Sequence, residues 1–309
     1  MAVKQVRVQI NGIWAVLTYN STSGKYEGTL TAPSVTSYNV NSGHYYPVTI
    51  EATDMAGNVT TKNDTDASLG SALRLTVKET VKPTITIISP SSGAYIINNV
   101  QPITFQLRDE ANGSGVKISS LTLQIDNGTV FNNTSTGMSI VAVTNGYDVT
   151  YTPQSALSDG SHTVKINVQD NDGNAADEVT STYTVDTVPP ALNVNAPSSS
   201  GRYTNSKSYT VVGTTTDTTS GPVILKIKLN DVDQGTIPLQ TNGNFTKRLT
   251  LKVGTNTIVV TATDKAGRST SVTRTIICDI TAPTVSEILV SPNPVNTSGQ
   301  YTISVKVVD

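Results

Sequence analysis

A single cysteine, Cys278, stands in the 309 residues, so no disulfide can form within the chain. A lone cysteine of this kind reads as a small apolar filler of a core. Histidine is almost as scarce: His44 and His162 are the only two. No Ser–His–Asp or Cys–His arrangement and no glycine-rich phosphate loop can be picked out. Acid–base or nucleophilic catalysis needs such groups held together, so the chain is read as non-enzymatic. Positive charge is not in excess either. Lys+Arg number 21 against 23 Asp+Glu, a net charge of −2. That balance excludes the basic footprint of a nucleic-acid partner. No run approaches the ~20 apolar residues of a membrane helix, so membrane insertion is not expected. The opening residues, Met1 to Val8, alternate like a strand and lack the apolar stretch of a secretory signal. Either the chain is made and used without the general secretory route, or Met1 begins an expressed fragment of something longer.

Helical periodicity is missing too. What the sequence has instead is Thr, Ser, Val, Asn and Gly, the residues of strands and turns. One phrase occurs three times, at Val48–Asn58, Val164–Asn174 and Ile258–Arg268. In each copy apolar residues lie six, four and two positions before an aspartate (Asp54, Asp170, Asp264), which puts them on one face of a strand. Asp-x-x-Gly then makes a tight turn, with the carboxylate accepting from nearby N–H groups and the glycine tolerating positive φ. A second strand is expected after each turn, over Leu73–Val77, Val179–Val185 and Ser271–Ile277. Each pair reads as the last hairpin of a β-sandwich.

A second phrase marks the joints: Lys82-Pro83-Thr84-Ile85, Pro189-Pro190-Ala191-Leu192 and Ala282-Pro283-Thr284-Val285. Proline lacks a donor and stiffens the chain, as a short connector requires. From Pro83, Pro190 and Pro283 the chain runs 26, 27 and 26 residues to Asp109, Asp217 and Asp309. The fourth copy therefore stops after two strands. Two strands alone are marginal, so the chain is either cut from a longer polypeptide or has its last hairpin completed by a partner. The expected fold is all-β: tandem immunoglobulin-like sandwiches in an extended rod. Domain one spans 1–81, domain two 82–187 and domain three 188–280, with the first two strands of an incomplete repeat over 281–309.

Domain three carries Tyr209-Thr210-Val211-Val212-Gly213, Gly243-Asn244-Phe245, Gly254-Thr255-Asn256-Thr257-Ile258, the Asp264–Gly267 turn and the Asp279–Pro283 linker. These residues resemble the bacterial Ig-like repeats of cell-surface adhesins, extracellular enzymes and phage virion proteins. Domain one, with Gly12-Ile13-Trp14, the Tyr19–Gly28 segment and Tyr45-Tyr46-Pro47, is similar to the opening domain of Ig-like proteins encoded in phage and prophage tail regions of Gram-positive gut bacteria. Such proteins are made in the cytoplasm without a signal peptide. The resemblance therefore implies a virion structural and binding protein, with other virion proteins and surface polysaccharide or mucin glycans as partners. A segment of a bacterial surface adhesin or stalk, or an accessory module of a secreted glycanase, remains the alternative, with a cell-surface or extracellular location.

Two chemistries are candidates. In such a sandwich, the loop after the second strand and the last hairpin's loop share the pole where the preceding linker arrives. That gathers Asp186, Asp217 and Asp264 in domain three, and Glu79, Asp109, Glu110, Asp170 and Asp172 in domain two. Clustered carboxylates repel unless a cation such as Ca²⁺ binds them; the competing reading is that each aspartate caps its own turn. For glycans, six of the 16 aromatics fall within the first 46 residues. Trp14, Tyr26 and Tyr45 are the candidate stacking rings, against the alternative that they fill a core. His162, placed eight residues before Asp170 where the other repeats have Tyr46 and Asn256, reads as a capping or packing position.

Overall fold

The computed structural model describes residues 2–309, and its regular structure is β apart from one 3-10 turn at Gly70–Ala72. Domain one contributes β1 (Val3–Ile10), β2 (Ile13–Asn20), β3 (Lys25–Glu27), β4 (Tyr46–Asp54), β5 (Val59–Lys62) and β6 (Arg74–Leu75). They form one six-stranded sheet, β3-β2-β1-β4-β5 with β6 on β4. Among its described residues, Val6, Val8 and Tyr46 are the buried apolar side chains.

Two expectations for this domain change. It has a single sheet rather than two facing ones, because the segment 28–45 between β3 and β4 forms no strand from which a second sheet could be built. The strand across the Asp54 turn is β5, not Leu73–Val77: Thr53 pairs directly with Val59. Arg74 and Leu75 pair instead with Pro47 and Tyr46 at the other end of β4. The ladder stops there, since Val77 gives its carbonyl to the Ser37 amide and its own N–H to the Ser37 hydroxyl.

Domain two is a sandwich. Its strands are β7 (Thr84–Ser89), β8 (Tyr95–Ile96), β9 (Ile103–Arg108), β10 (Val116–Ile125), β11 (Val130–Phe131), β12 (Met138–Val143), β13 (Gly146–Tyr151), β14 (Gly160–Asp170) and β15 (Val179–Val185). One sheet runs β12-β13-β9-β7 and the other β11-β10-β14-β15-β8. Period-two alternation builds the core: Ile103, Phe105 and Leu107 on β9, and Val164, Ile166 and Val168 on β14, are all buried.

Domain three repeats the plan with β16 (Ala191–Ala196), β17 (Arg202–Thr204), β18 (Ser208–Thr216), β19 (Ile224–Leu229), β20 (Val232–Ile237), β21 (Asn244–Thr250), β22 (Gly254–Thr263) and β23 (Ser269–Cys278). Sheets β16-β18-β21 and β17-β23-β22-β19-β20 enclose one core that includes Leu225, Ile227, Phe245, Val260 and Cys278. Burying each large apolar side chain there is worth about 1.5–3 kcal/mol. Gly213 is required under Phe245, because a Cβ on it would lie 2.4 Å from the ring. Beyond the third linker, β24 (Thr284–Ser291) and β25 (Thr302–Val308) form an antiparallel hairpin. Val285, Ile288, Val290, Ile303, Val305 and Val307 are exposed along it. The chain divides into two compact units: the residues up to Ala94 with Val100–Tyr183, and Tyr95–Asn99 with Thr184–Asp309. No helix among the described residues is long and apolar enough to cross a membrane.

Candidate cation sites where linkers meet sandwiches

Each repeated hairpin uses its aspartate in the same first step. Asp54 Oδ1 accepts from the Ala56 and Asn58 amides, both at 2.9 Å. Asp170 Oδ1 accepts from Gly173 at 2.6 Å and Asn174 at 2.8 Å. Asp264 Oδ1 accepts from Arg268 at 2.8 Å. The second oxygen separates the copies. Asn58 Nδ2 donates to Asp54 Oδ2 at 2.9 Å, and Asn174 Nδ2 to Asp170 Oδ2 at 2.7 Å. The third copy has Arg268 at that position, and its guanidinium reaches the Thr187 carbonyl instead. Asp264 Oδ2 is left buried with no hydrogen-bond partner, on a side chain only 4% exposed.

That oxygen belongs to a group. Carboxylate oxygens of Asp186, Asp217 and Asp264 lie within 4.8 Å of one another. Asp186, fully buried, accepts from the Val188 amide at 3.1 Å and from the buried Ser220 hydroxyl. Asp217 Oδ1 accepts from the Thr219 and Ser220 amides at 2.9 and 2.7 Å.

The corresponding pole of domain two gathers Glu79, Asp109 and Asp170, again within 4.8 Å. Asp170 is fully engaged by its own turn, so the open oxygens come from elsewhere. Asp109, 7% exposed, gives Oδ2 to the Gly115 amide at 2.7 Å and leaves Oδ1 unpartnered. Glu79 Oε1 takes the Ser114 amide, while Glu79 Oε2 and Glu110 Oε2 are buried without partners. Gly113 lies against all three groups. A methyl there would come within 2.8 Å of Asp109 Oδ2 and 2.9 Å of Glu79 Oε2 and Glu110 Cδ. Burial first, then the neighbouring Glu79 and Asp109 carboxyls, pushes Glu110 up to about 8. Burial, with Glu79 and Asp170 adding to it, also raises Asp109 against the opposing hydrogen bonds of the Glu110 carboxyl and the Gly115 N–H.

Asp172 lies beside this group rather than in it. It accepts from the Thr36 hydroxyl and, at 3.1 Å, from the Glu79 amide. Asn39 Nδ2 donates to the Gly113 carbonyl at 2.8 Å. The domain-one loop is thereby tied to the acidic pole of domain two. Neither Thr36 nor Asn39 carries a sequence signal for this role, since each acts only through a partner more than 70 positions away.

Like charges this close repel by about 3–4 kcal/mol per pair at an effective dielectric of 20. Turn capping explains both oxygens of Asp170 but only one of Asp264, and it leaves the buried, unpartnered oxygens of Glu79, Asp109, Glu110 and Asp264 unexplained. A single Ca²⁺ meets that need. Oxygens held at about 2.3–2.6 Å from one ion lie no more than ~5 Å apart, which the 4.8 Å spread satisfies.

The aromatic candidates are dispersed. Trp14 is half-exposed under the Arg7 guanidinium, 4.2 Å from its ring, and Arg7 pairs with Glu51 at 2.7 Å. Tyr26 packs on Tyr19 with ring centroids 5.3 Å apart. Alternation along β2 puts Trp14 and Tyr19 on opposite faces of the sheet, so Trp14 and Tyr26 share no platform. Tyr45 turns its hydroxyl to Asp64 Oδ2 at 3.0 Å. The Tyr46, His162 and Asn256 positions are all buried and pin loop carbonyls: Val35 at 3.1 Å, Ser158 at 2.7 Å, and Lys252 at 2.7 Å with Gly254 at 2.9 Å.

Comparison with known proteins agrees with this architecture. Residues 88–187 match the family model of a bacterial Ig-like domain, and residues 190–280 match that of glucodextranase domain B. No curated protein matches the chain. Among solved structures, the fibronectin(III)-like modules of Clostridium thermocellum CbhA align at 16% identity and TM-score 0.38, over 63% of this chain and 94% of theirs. A tetra-tandem repeat from the extending region of a large adhesion protein aligns at 18% identity and TM-score 0.35, over 98% and 80%. A titin I-band fragment aligns at 13% identity and TM-score 0.41, over 90% and 88%. Residues 88–187 are thus similar to a bacterial Ig-like domain and residues 190–280 to glucodextranase domain B, within an all-β chain of tandem Ig-like repeats.

Proposed function

We propose that the chain is a non-catalytic display protein, whose sandwiches are fixed to their incoming linkers by Ca²⁺ and which presents its surfaces on a phage particle to bacterial glycans or mucus. One observation carries the mechanical half. At two separate poles, buried carboxylate oxygens without hydrogen-bond partners converge on further carboxylates. Such groups cost several kcal/mol unless charge is neutralised. A cation bound to them ties linker to domain. Glu79 and Asp186 are the linker's ligands, Asp109 and Asp217 those of the second-strand loop, and Asp264 that of the domain-three hairpin, whereas Asp170 keeps both oxygens for its own turn. The virion half is supported by the likeness of domain one to phage-tail opening domains, and repeated domains would convert weak single contacts into avidity.

Calorimetric titration of CaCl₂ into chelator-treated chain tests the first half. Two saturable sites are expected, one of which disappears in Gly113→Ala. Absence of heat, together with identical melting in Ca²⁺ and in chelator, sinks it. Mass spectrometry of purified particles and of cell-wall fractions tests the second half. Recovery only from cell walls favours the adhesin reading. The match of residues 190–280 to glucodextranase domain B favours a further reading, an accessory module of a glycanase. Co-purification with a catalytic chain would decide for that one.

A further inference from the structure

At the opposite end of β10 and β14 from Asp170, domain two carries a cavity of about 510 Å³. That volume is inside the ~300–1,000 Å³ usual for small-ligand sites. The floor is apolar and includes Phe131 and Tyr151, whose rings pack with centroids 4.5 Å apart. Tyr151 is buried and Phe131 half-buried, so it is Phe131 that offers ring surface to the opening. Asp126, Thr129, Ser135 and Gln154 bring a carboxylate, two hydroxyls and an amide to the wall.

Asp126 is the only charged lining residue, and it is held in place from behind. Its Oδ1 accepts from the Thr163 amide at 2.7 Å, and its Oδ2 lies 2.5 Å from His162 Nδ1. The other nitrogen of His162 lies 2.7 Å from the Ser158 carbonyl, and the imidazole is 5% exposed. Both ring nitrogens face oxygen atoms, which holds the imidazole in place and fixes the carboxylate's direction. A carboxylate has about four acceptor sites, so acceptor capacity remains for a ligand in the cavity. Asp126 itself sits at φ 52° in a turn closed by the Gly128 amide on the Ile125 carbonyl at 2.8 Å. The side-chain geometry is set before anything binds.

An apolar floor with a rim of hydroxyl, amide and carboxylate groups matches a sugar ring, which has a C–H face and a polar edge. The lone negative charge selects against acidic sugars. We infer that this cavity is a saccharide subsite for a neutral or amino pyranose, with Phe131 under the ring, Asp126 and Gln154 on its hydroxyls, and His162 as the positioning residue for Asp126. The inference rests on the surface-contact part of the proposed function and gives that contact a place outside the aromatic residues of domain one.

Amide NMR of the full chain, titrated with methyl glycosides of glucose, galactose, N-acetylglucosamine, glucosamine and glucuronic acid, tests it. At least one neutral or amino glycoside should shift the amides of Asp126–Phe131 and Gln154–Leu157. The glucuronide should bind about tenfold more weakly or not at all. Asp126→Asn, Gln154→Ala and Phe131→Leu should each weaken binding by about five- to tenfold. Phe131→Leu keeps the packing on Tyr151, and Gln154 is exposed, so these two variants test the site without unfolding it. Trp14→Ala should change nothing. The inference is overturned if no neutral or amino glycoside shifts these amides, or if binding survives Asp126→Asn and Phe131→Leu together. Either result leaves the particle and calcium experiments standing, so failure of the subsite is distinguishable from failure of the display reading.

Discussion

The acidic poles of domains two and three solve the same electrostatic problem with different spare parts. In domain two the hairpin aspartate, Asp170, spends both oxygens on its own turn, and the open oxygens are those of Glu79 and Asp109. In domain three the hairpin aspartate itself supplies the open oxygen, because Arg268 replaces the asparagine that would have covered it. Domain two also has a fourth carboxyl, Glu110, pushed up to about 8, so a proton there relieves part of the repulsion at neutral pH. The difference teaches that one side chain in the turn, asparagine or arginine, decides whether the turn's aspartate is purely structural or can also hold an ion.

The largest effect should come from removing the aspartate that is purely structural. Asp170→Ala strips partners from the Gly173 and Asn174 amides and the Asn174 side chain, at a residue with no exposure. Unpaired buried donors cost about 1–3 kcal/mol each, so a loss of about 3 kcal/mol or more is expected. Urea unfolding read by hydrogen exchange at Val168 and Asp170 should show it equally in Ca²⁺ and in chelator. An Asp170→Ala loss that vanished in chelator would erase the distinction between the poles.

Asp264→Asn is the counterpart in domain three. Saturating Ca²⁺ at a hundred times Kd should stabilise the wild-type domain by about 2.7 kcal/mol. The variant should lose most of that increment and lose little in chelator, since Oδ1 can still accept from Arg268. Melting curves with and without Ca²⁺ read both numbers. An undiminished increment would remove Asp264 from the site.

Much of this is legible in the sequence, and the reason is geometric. The spacing from Asp170 and Asp264 back through alternating apolar residues fixes a strand, its turn and the pole to which the turn points. Pattern alone misplaces the strand after the Asp54 turn, because Val59-Thr60-Thr61-Lys62 has no apolar alternation, whereas Leu73–Val77 does. Backbone pairing across a tight turn wins over pattern there. The single sheet of domain one is hidden for a related reason, since the presence of strands does not say whether two faces will meet. The cavity around Asp126 cannot be seen at all. It is made by three loops whose residues are up to about thirty positions apart and follow no period, and only folding brings Phe131 onto Tyr151.

Arg268→Asn should convert one pole toward the other. The new amide can cover Asp264 Oδ2 as Asn174 covers Asp170 Oδ2, a gain of about 1 kcal/mol in chelator. The Ca²⁺ increment should shrink, because the ion must now displace that bond. Differential calorimetry in both conditions gives the two changes, and a Ca²⁺ increment left at full size would show that the open oxygen is not what recruits the ion.

The smallest effect belongs to Glu110. Its folded carboxyl sits at about 8, above the ~4.3 of an unfolded glutamate, so the folded state holds the proton more tightly. Stability from this group is therefore fully present below the unfolded value and is lost as pH rises through 8. In chelator, the unfolding midpoint of domain two should fall as pH is raised from 5 to 9, and Glu110→Gln should flatten the slope. Ca²⁺ should flatten it as well, since an ion held by Glu79 and Asp109 replaces the proton as the source of positive charge. Domain three has no carboxyl in the place of Glu110, so a pH slope of the same sign and size there would mean that the proton is not specific to the first pole.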